Sequence, residues 1–197
     1  MNYNQLPENN ELFAYKRAIV KPKTLCLVLF FLLGMSTVFA DDLKKPDVPN
    51  ELLPPENEQL VAMAHGKGDQ IYVCKANVNG AQFGYTLLAP DAVLTDDAGK
   101  EVGRHFIGPT WQWNDESKIT GKIVISARSP DPQAISWLLL STVDHTATGA
   151  LGKVTSIQRI NTKGGRAPSS GCDAEHLGKE VKVPYSADYY FYARQYK

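Results

Sequence analysis

From Gln59 to the C-terminus the chain is a succession of short apolar runs broken by turn residues, with almost no helical spacing. Such a pattern confines a chain to an all-β architecture, because period-2 runs bury one face of a strand and cannot build a helix stripe. The runs LVAMAHG, DQIYVCKA, QFGYTLLAP, DAVLTD, VGRHFIG, TWQW and KITGKIVISAR follow one another, and GKVTSIQRINT and EVKVPYSADYYFYAR close the series. Ile123, Ile125 and Ala127 alternate with Val124, Ser126 and Arg128. Gly66-Lys67-Gly68 reads as a hairpin-like connection, Ala98-Gly99 as the clearest hairpin tip, and Gly108-Pro109 as a turn. PDPQAISWLLLSTVDHT fits a helical turn or a buried strand, and Thr142 and Val143 tip it towards strand. Residues 162–178 form a glycine-rich loop, and the last run reads as a closing strand pair. The expected fold is a single-domain antiparallel β-sandwich or small barrel.

Ahead of that series stands a leader. Lys16, Arg17, Lys21 and Lys23 precede the apolar run TLCLVLFFLLGMSTVFA, which ends on the small residues of Val38-Phe39-Ala40. The run is shorter than the ~20 residues a spanning helix needs. Residues 1–40 are therefore expected to be a signal peptide cleaved after Ala40, so that the protein is secreted or periplasmic and keeps no membrane span. The part before Val20 is long for a leader's basic region, and the segment from Val20 onward has ordinary leader proportions. Residues 41–58, DDLKKPDVPNELLPPENE, are rich in proline and charge and read as an extended tether that packs Leu52 and Leu53 on the edge of the domain 59–197.

Twenty-one basic and 21 acidic side chains balance to a formal charge of zero. Removing a leader with more basic than acidic residues leaves a small negative excess. Nucleic acid is not an expected partner, since it would demand a basic surplus or patch. Cys26 departs with the leader, leaving Cys74 and Cys172. In an oxidising compartment two cysteines most simply pair, although two free buried thiols would fit the composition too. Closing a loop of about 100 residues would remove roughly 4 to 5 kcal/mol of unfolded-chain entropy.

The motifs of several enzyme classes are missing. No GxGxxG opens a helix, and there is no P-loop, HExxH or GxSxG elbow. Ser169-Ser170-Gly171 lies beside Cys172 and reads as loop. The four histidines, His65, His105, His145 and His176, share no ligand-like local spacing. If a metal site forms, His105 with Asp144 and His145 are its members, because they border turns after strand segments. No cofactor is expected otherwise.

Aromatic side chains are the richer resource. Trp111 and Trp113 fall on one face of an extended segment, and the C-terminal strand carries Tyr189, Tyr190, Phe191 and Tyr192. One alternating pair of that strand turns inward and leaves the other for solvent or a groove. A groove holding Trp113, Tyr190 and Tyr192, with His105 at its border, would suit a small organic or carbohydrate-like ligand. The expected role is thus a ligand-binding or surface-associated module, with a metal-assisted hydrolase or oxidase and a ligand-free structural envelope protein as alternatives.

The stretches QIYVCKA, GPTWQ, SKITGKIV, PDPQAISWLLL, VTSIQRINTKGGRAPSSGCD and VPYSADYYFY resemble a family of exported proteins, domain of unknown function 3455, over roughly residues 50–194. The resemblance implies an exported, β-rich single domain with no activity or cofactor attached. Cys74 and Cys172 occupy that family's paired cysteine positions, so it implies a disulfide between them. Gly108-Pro109-Thr110-Trp111 and Asn161-Thr162-x-Gly164-Gly165 are the most recognisable motifs, and neither carries a catalytic role. Some fungal relatives bear a dehydrogenase-like name, but this chain lacks the dinucleotide fingerprint such a name requires.

Overall fold

A computed structural model describes residues 43–195; the leader and its cleavage site after Ala40 lie outside them. Eight antiparallel strands run in chain order and close on themselves as an up-and-down barrel. They are β1 (Glu58–Ala76), β2 (Phe83–Thr95), β3 (Glu101–Phe106), β4 (Thr110–Trp113), β5 (Lys118–Ala127), β6 (Trp137–His145), β7 (Val154–Gly164) and β8 (Glu180–Arg194). Closure comes from β1, whose length lets it pair with β2 from His65 to Ala76 and with β8 from Glu58 to Val73. Of the two expected architectures the barrel is the one formed.

Period-2 alternation sets the inside. On β8, Tyr185, Ala187, Tyr189 and Phe191 point inward and join Trp111, Ile119, Leu138, Leu140 and Ile157 in one buried cluster. Bulky rings are matched by small residues opposite. Tyr189 pairs with Ala64, and a Cβ on Gly66 would lie 2.5 Å from the Tyr189 ring. This explains why Gly66-Lys67-Gly68 is not a hairpin: β1 passes straight through it, and Gly66 is glycine to make room for a ring in the barrel. EVKVPYSADYYFYAR is likewise one strand and not a pair, because all of it is needed to pair with β1. The Ala98-Gly99 tip and the Gly108-Pro109 turn form as read, with Gly99 at φ +80° and a cis bond before Pro109. PDPQAISWLLLSTVDHT supplies strand β6.

The barrel has two unlike ends. At one end the loop between β6 and β7 folds across the opening and buries Leu151 completely. Asp115 and Ser117 hold this cap, accepting from the Ala150 and Leu151 backbone N–H at 2.7 and 3.1 Å. Gly149 sits at φ +86°, and a Cβ there would come within 2.5 Å of Ser117. At the other end the β7–β8 loop is tied to β1 by the Cys74–Cys172 disulfide, whose Cα atoms are 5.3 Å apart. The tether packs outside: Leu52 is fully buried, while Leu53 is half exposed. Gln158 Nε2 donates to Leu52 O at 2.6 Å, and the Tyr192 hydroxyl donates to Gln158 Oε1 at 2.6 Å.

Candidate functional site

The uncapped end holds a cavity of about 330 Å³ between β2, β3, β5 and β7. Two bulges widen the wall there. Leu88 is the extra residue of β2 opposite Ile71 and Tyr72, and Val124 is the extra residue of β5 opposite Leu139 and Leu140. Leu87, Ile123, Leu138 and Arg159 line this cavity and also an adjoining one of about 850 Å³. Leu87, Leu88, Ile107 and Ile123 are all largely uncovered and all face the smaller space. In a folded domain large aliphatic side chains are normally left exposed singly, whereas here four gather at one opening.

The floor is polar and aromatic. His105 stacks on Trp111 with ring centroids 4.4 Å apart and planes at 13°, and Tyr189 stands edge-on to Trp111 at 5.5 Å. His105 Nδ1 donates to Thr110 O at 2.8 Å, which leaves Nε2 as the unprotonated nitrogen. Burial pushes the His105 pKa down to about 3, the nearby Arg159 adds to that, and the Thr110 hydrogen bond opposes it. His105 is therefore neutral at physiological pH.

Arg159 is the unusual member. It projects inward from β7 opposite Leu138 and Tyr189. Its Nη2 donates to Ser136 O at 2.8 Å, its one hydrogen bond among the described residues. Nε is shielded from solvent and has no partner among the described residues. No carboxylate among the described residues comes within ion-pair distance of the guanidinium. Burial lowers its pKa, while Tyr189, Tyr185 and Tyr72 counteract this; a guanidinium stays charged regardless. Trp111 Nε1 and Gln70 Nε2, on two other residues of the same cavity wall, are also buried donors without acceptors. The Gln70 side chain approaches the Tyr185 hydroxyl closely enough to hold its pKa down against burial, although Nε2 falls short of full hydrogen-bond geometry. Tyr185 and Tyr189 hydroxyls bond each other at 3.1 Å, and burial raises both pKa values, so they too are neutral.

The residues expected to form a site are scattered. Trp113 points into the capped half of the barrel and packs edge-on against Phe191 at 5.0 Å. Tyr190 and Tyr192 alternate with Tyr189 and Phe191 and occupy the outer face, where Tyr192 is buried against Gln158. Trp113 and the two tyrosines therefore share no groove. Of that group only His105 reaches the cavity wall. The metal set is separated as well: Trp111 and Ile119 stand between His105 and His145 in a lateral row, roughly 14 Å at ~4.8 Å per strand. Asp144 and His145 are exposed at the far end of β6.

Arg159, Gln70, Leu87, Leu88 and Ile123 are not among the residues that the sequence pattern singles out for a site. One signal was available: in Ile157-Gln158-Arg159 the arginine is in phase with an inward isoleucine, an arginine at a core position. The wall it meets across the barrel could not be read from a local pattern.

The family model described as protein of unknown function (DUF3455) matches residues 54–193. The chain belongs to this family. No curated protein and no solved structure matches it.

Proposed function

We propose that this member of the DUF3455 family is an exported binding domain that takes a small, largely apolar organic molecule into the uncapped end of its barrel. The supporting observation is the convergence of Leu87, Leu88, Ile107 and Ile123, all substantially exposed, on one cavity. An eight-stranded barrel has an interior just wide enough to be filled by side chains or to hold one small ligand. Here the capped half is filled and the other half is not. A volume of about 330 Å³, with room beyond it, lies in the usual range for small-molecule sites. Export is supported by the leader pattern and by the disulfide. A carbohydrate-like ligand is less well supported than an apolar one, since Trp113 offers no exposed face for a sugar ring.

Titration with N-phenyl-1-naphthylamine, a neutral probe that brightens in apolar surroundings, tests the reading. Saturable emission at one probe per chain is expected, weakened at least tenfold by Leu87→Trp, which fills the opening, with the melting temperature nearly unchanged. A flat titration would leave a structural envelope protein as the better description.

A further inference from the structure

The proposed binding site has a charge in its floor and, among the described residues, no charge to meet it. Resting on that reading of the cavity, we infer that the ligand is a free amphiphilic monocarboxylate whose carboxylate pairs with Arg159 and whose apolar chain lies along Leu87, Ile123 and Leu138. A partly buried ion without a partner is unfavourable, the more so where its Nε is wholly shielded from water, and natural domains nearly always supply a counter-ion from their own chain. Here the guanidinium has a single backbone carbonyl for company, with Nε unsatisfied. Guanidinium geometry suits a carboxylate, which can accept two parallel hydrogen bonds from it.

The surroundings select for an anion and against a cation. Trp111 Nε1 and Gln70 Nε2 on the same wall are buried donors without acceptors among the described residues, against a single free lone pair at His105 Nε2, so donors outnumber acceptors around the cavity. His105 is neutral and does not compete as a cation. Tyr72, with its hydroxyl given to Gly165 O at 2.5 Å, and Tyr185 and Tyr189 are neutral phenols. At the rim, Arg128 and Arg166 face one carboxylate, Asp131, whose Oδ1 already accepts from Gln133 N at 2.8 Å. The rim is therefore net positive and draws an anion inward.

Competition between the naphthylamine probe and three ligands of equal chain length, decanoate, decanol and decylamine, reads the inference directly. Decanoate is expected to displace the probe at least thirtyfold more tightly than decanol, and decylamine to be the weakest. In Arg159→Met the ratio of decanoate to decanol affinity, read within the variant against its own probe affinity, should fall to about one; replacing an unpaired, largely buried charge by an apolar chain of similar volume is not expected to unfold the barrel. The wild-type protein gives a second measure needing no variant. As pH falls through the carboxylic acid's own pKa, near that of a glutamate side chain at ~4.3, the advantage of decanoate should vanish. Among the described residues the one carboxylate facing the site is Asp131, and any loss of its negative charge would strengthen anion binding, the opposite sign. Equal binding of decanoate and decanol would overturn the anion assignment and leave the cavity standing. Probe bound but none of the three competing would overturn the assignment of an alkyl amphiphile. A silent probe together with three silent ligands would overturn both readings. Displacement by phosphatidylglycerol vesicles alone would overturn the claim that the ligand is free in solution.

Discussion

The two ends of this barrel solve the same closure problem by opposite means. At the capped end Leu151, Ile119, Phe191 and Trp113 fill the interior, and Asp115 and Ser117 fasten a loop across it. At the other end the inward positions carry Gln70, Arg159 and uncovered aliphatics, and their donors are left without acceptors. Packing holds one end, and a covalent tie holds the other. The Cys74–Cys172 disulfide fixes the β7–β8 loop beside the cavity, assisted by Tyr85, whose hydroxyl donates to Gly171 O at 3.0 Å. An end that forgoes a core in order to stay open has to be kept in shape by something else.

The hardest way to break that division is to remove the tie. Replacing Cys74 and Cys172 together by serine opens a loop with a sequence separation of 98, and on the loop-entropy model this removes about 4 to 5 kcal/mol of stability. Urea unfolding of the double variant should show that loss. Hydrogen exchange at pH 7 should place the added opening in residues 165–180 and leave β8 near Phe191 protected. Even loosening of both ends would mean that the tie stabilises the whole barrel and not the open end in particular.

A pair of truncations sharpens the contrast at smaller cost. Phe191 is fully buried and meets Trp113 edge-on, so Phe191→Ala should destabilise by ~3 to 5 kcal/mol. Leu87 is 48% exposed, so Leu87→Ala should cost under ~1 kcal/mol while weakening the naphthylamine probe. Thermal melts and probe titrations on the two variants should sort in opposite orders. Equal destabilisation would show that the open end carries a core of its own.

What could be read without coordinates divides along the same line. Strand alternation set Tyr189 and Phe191 apart from Tyr190 and Tyr192, because period 2 is a local property. The tip at Ala98-Gly99 was legible for the same reason: a left-handed residue in a polar tip has a local cause. Gly66 looks like a turn residue in the sequence because its reason is distant, a tyrosine 123 residues later that needs the space of a side chain. The site was harder still. Arg159 meets Leu87 and Ile123 only because β2, β5 and β7 curl round one cavity. Trp113 and Tyr192 looked available because aromatics attract ligands, yet one fills the capped end and the other lies beneath the tether. Chemistry was visible residue by residue, whereas convergence belongs to the closure of the sheet.

The smallest effects separate inside from outside, and they do so with opposite signs of pH dependence. His105 lies in the interior with its pKa pushed down to about 3, against ~6.5 in the unfolded chain. Between those values the unfolded chain binds a proton that the folded one refuses, so this residue makes stability fall as acid is added, by at most ~1.4 kcal/mol per pH unit. His65 sits on the outer face. Desolvation pulls its pKa down, but hydrogen bonds to Asp188 at 2.7 Å and Asp97 at 2.9 Å outweigh this and raise it. Its contribution is fully present below the unfolded pKa and disappears as pH rises through the folded one. With His65 42% exposed, solvent screening holds that contribution under ~1 kcal/mol. Chemical denaturation across pH should therefore show His105→Gln losing less stability than the parent as pH drops from 6.5 towards 3.5. His65→Gln should be slightly weaker than the parent at pH 5.5 and indistinguishable from it at pH 9. A His105 variant whose curve runs parallel to the parent's would mean that the interior admits water to that imidazole. The capped and open ends would then be less unlike than their packing makes them.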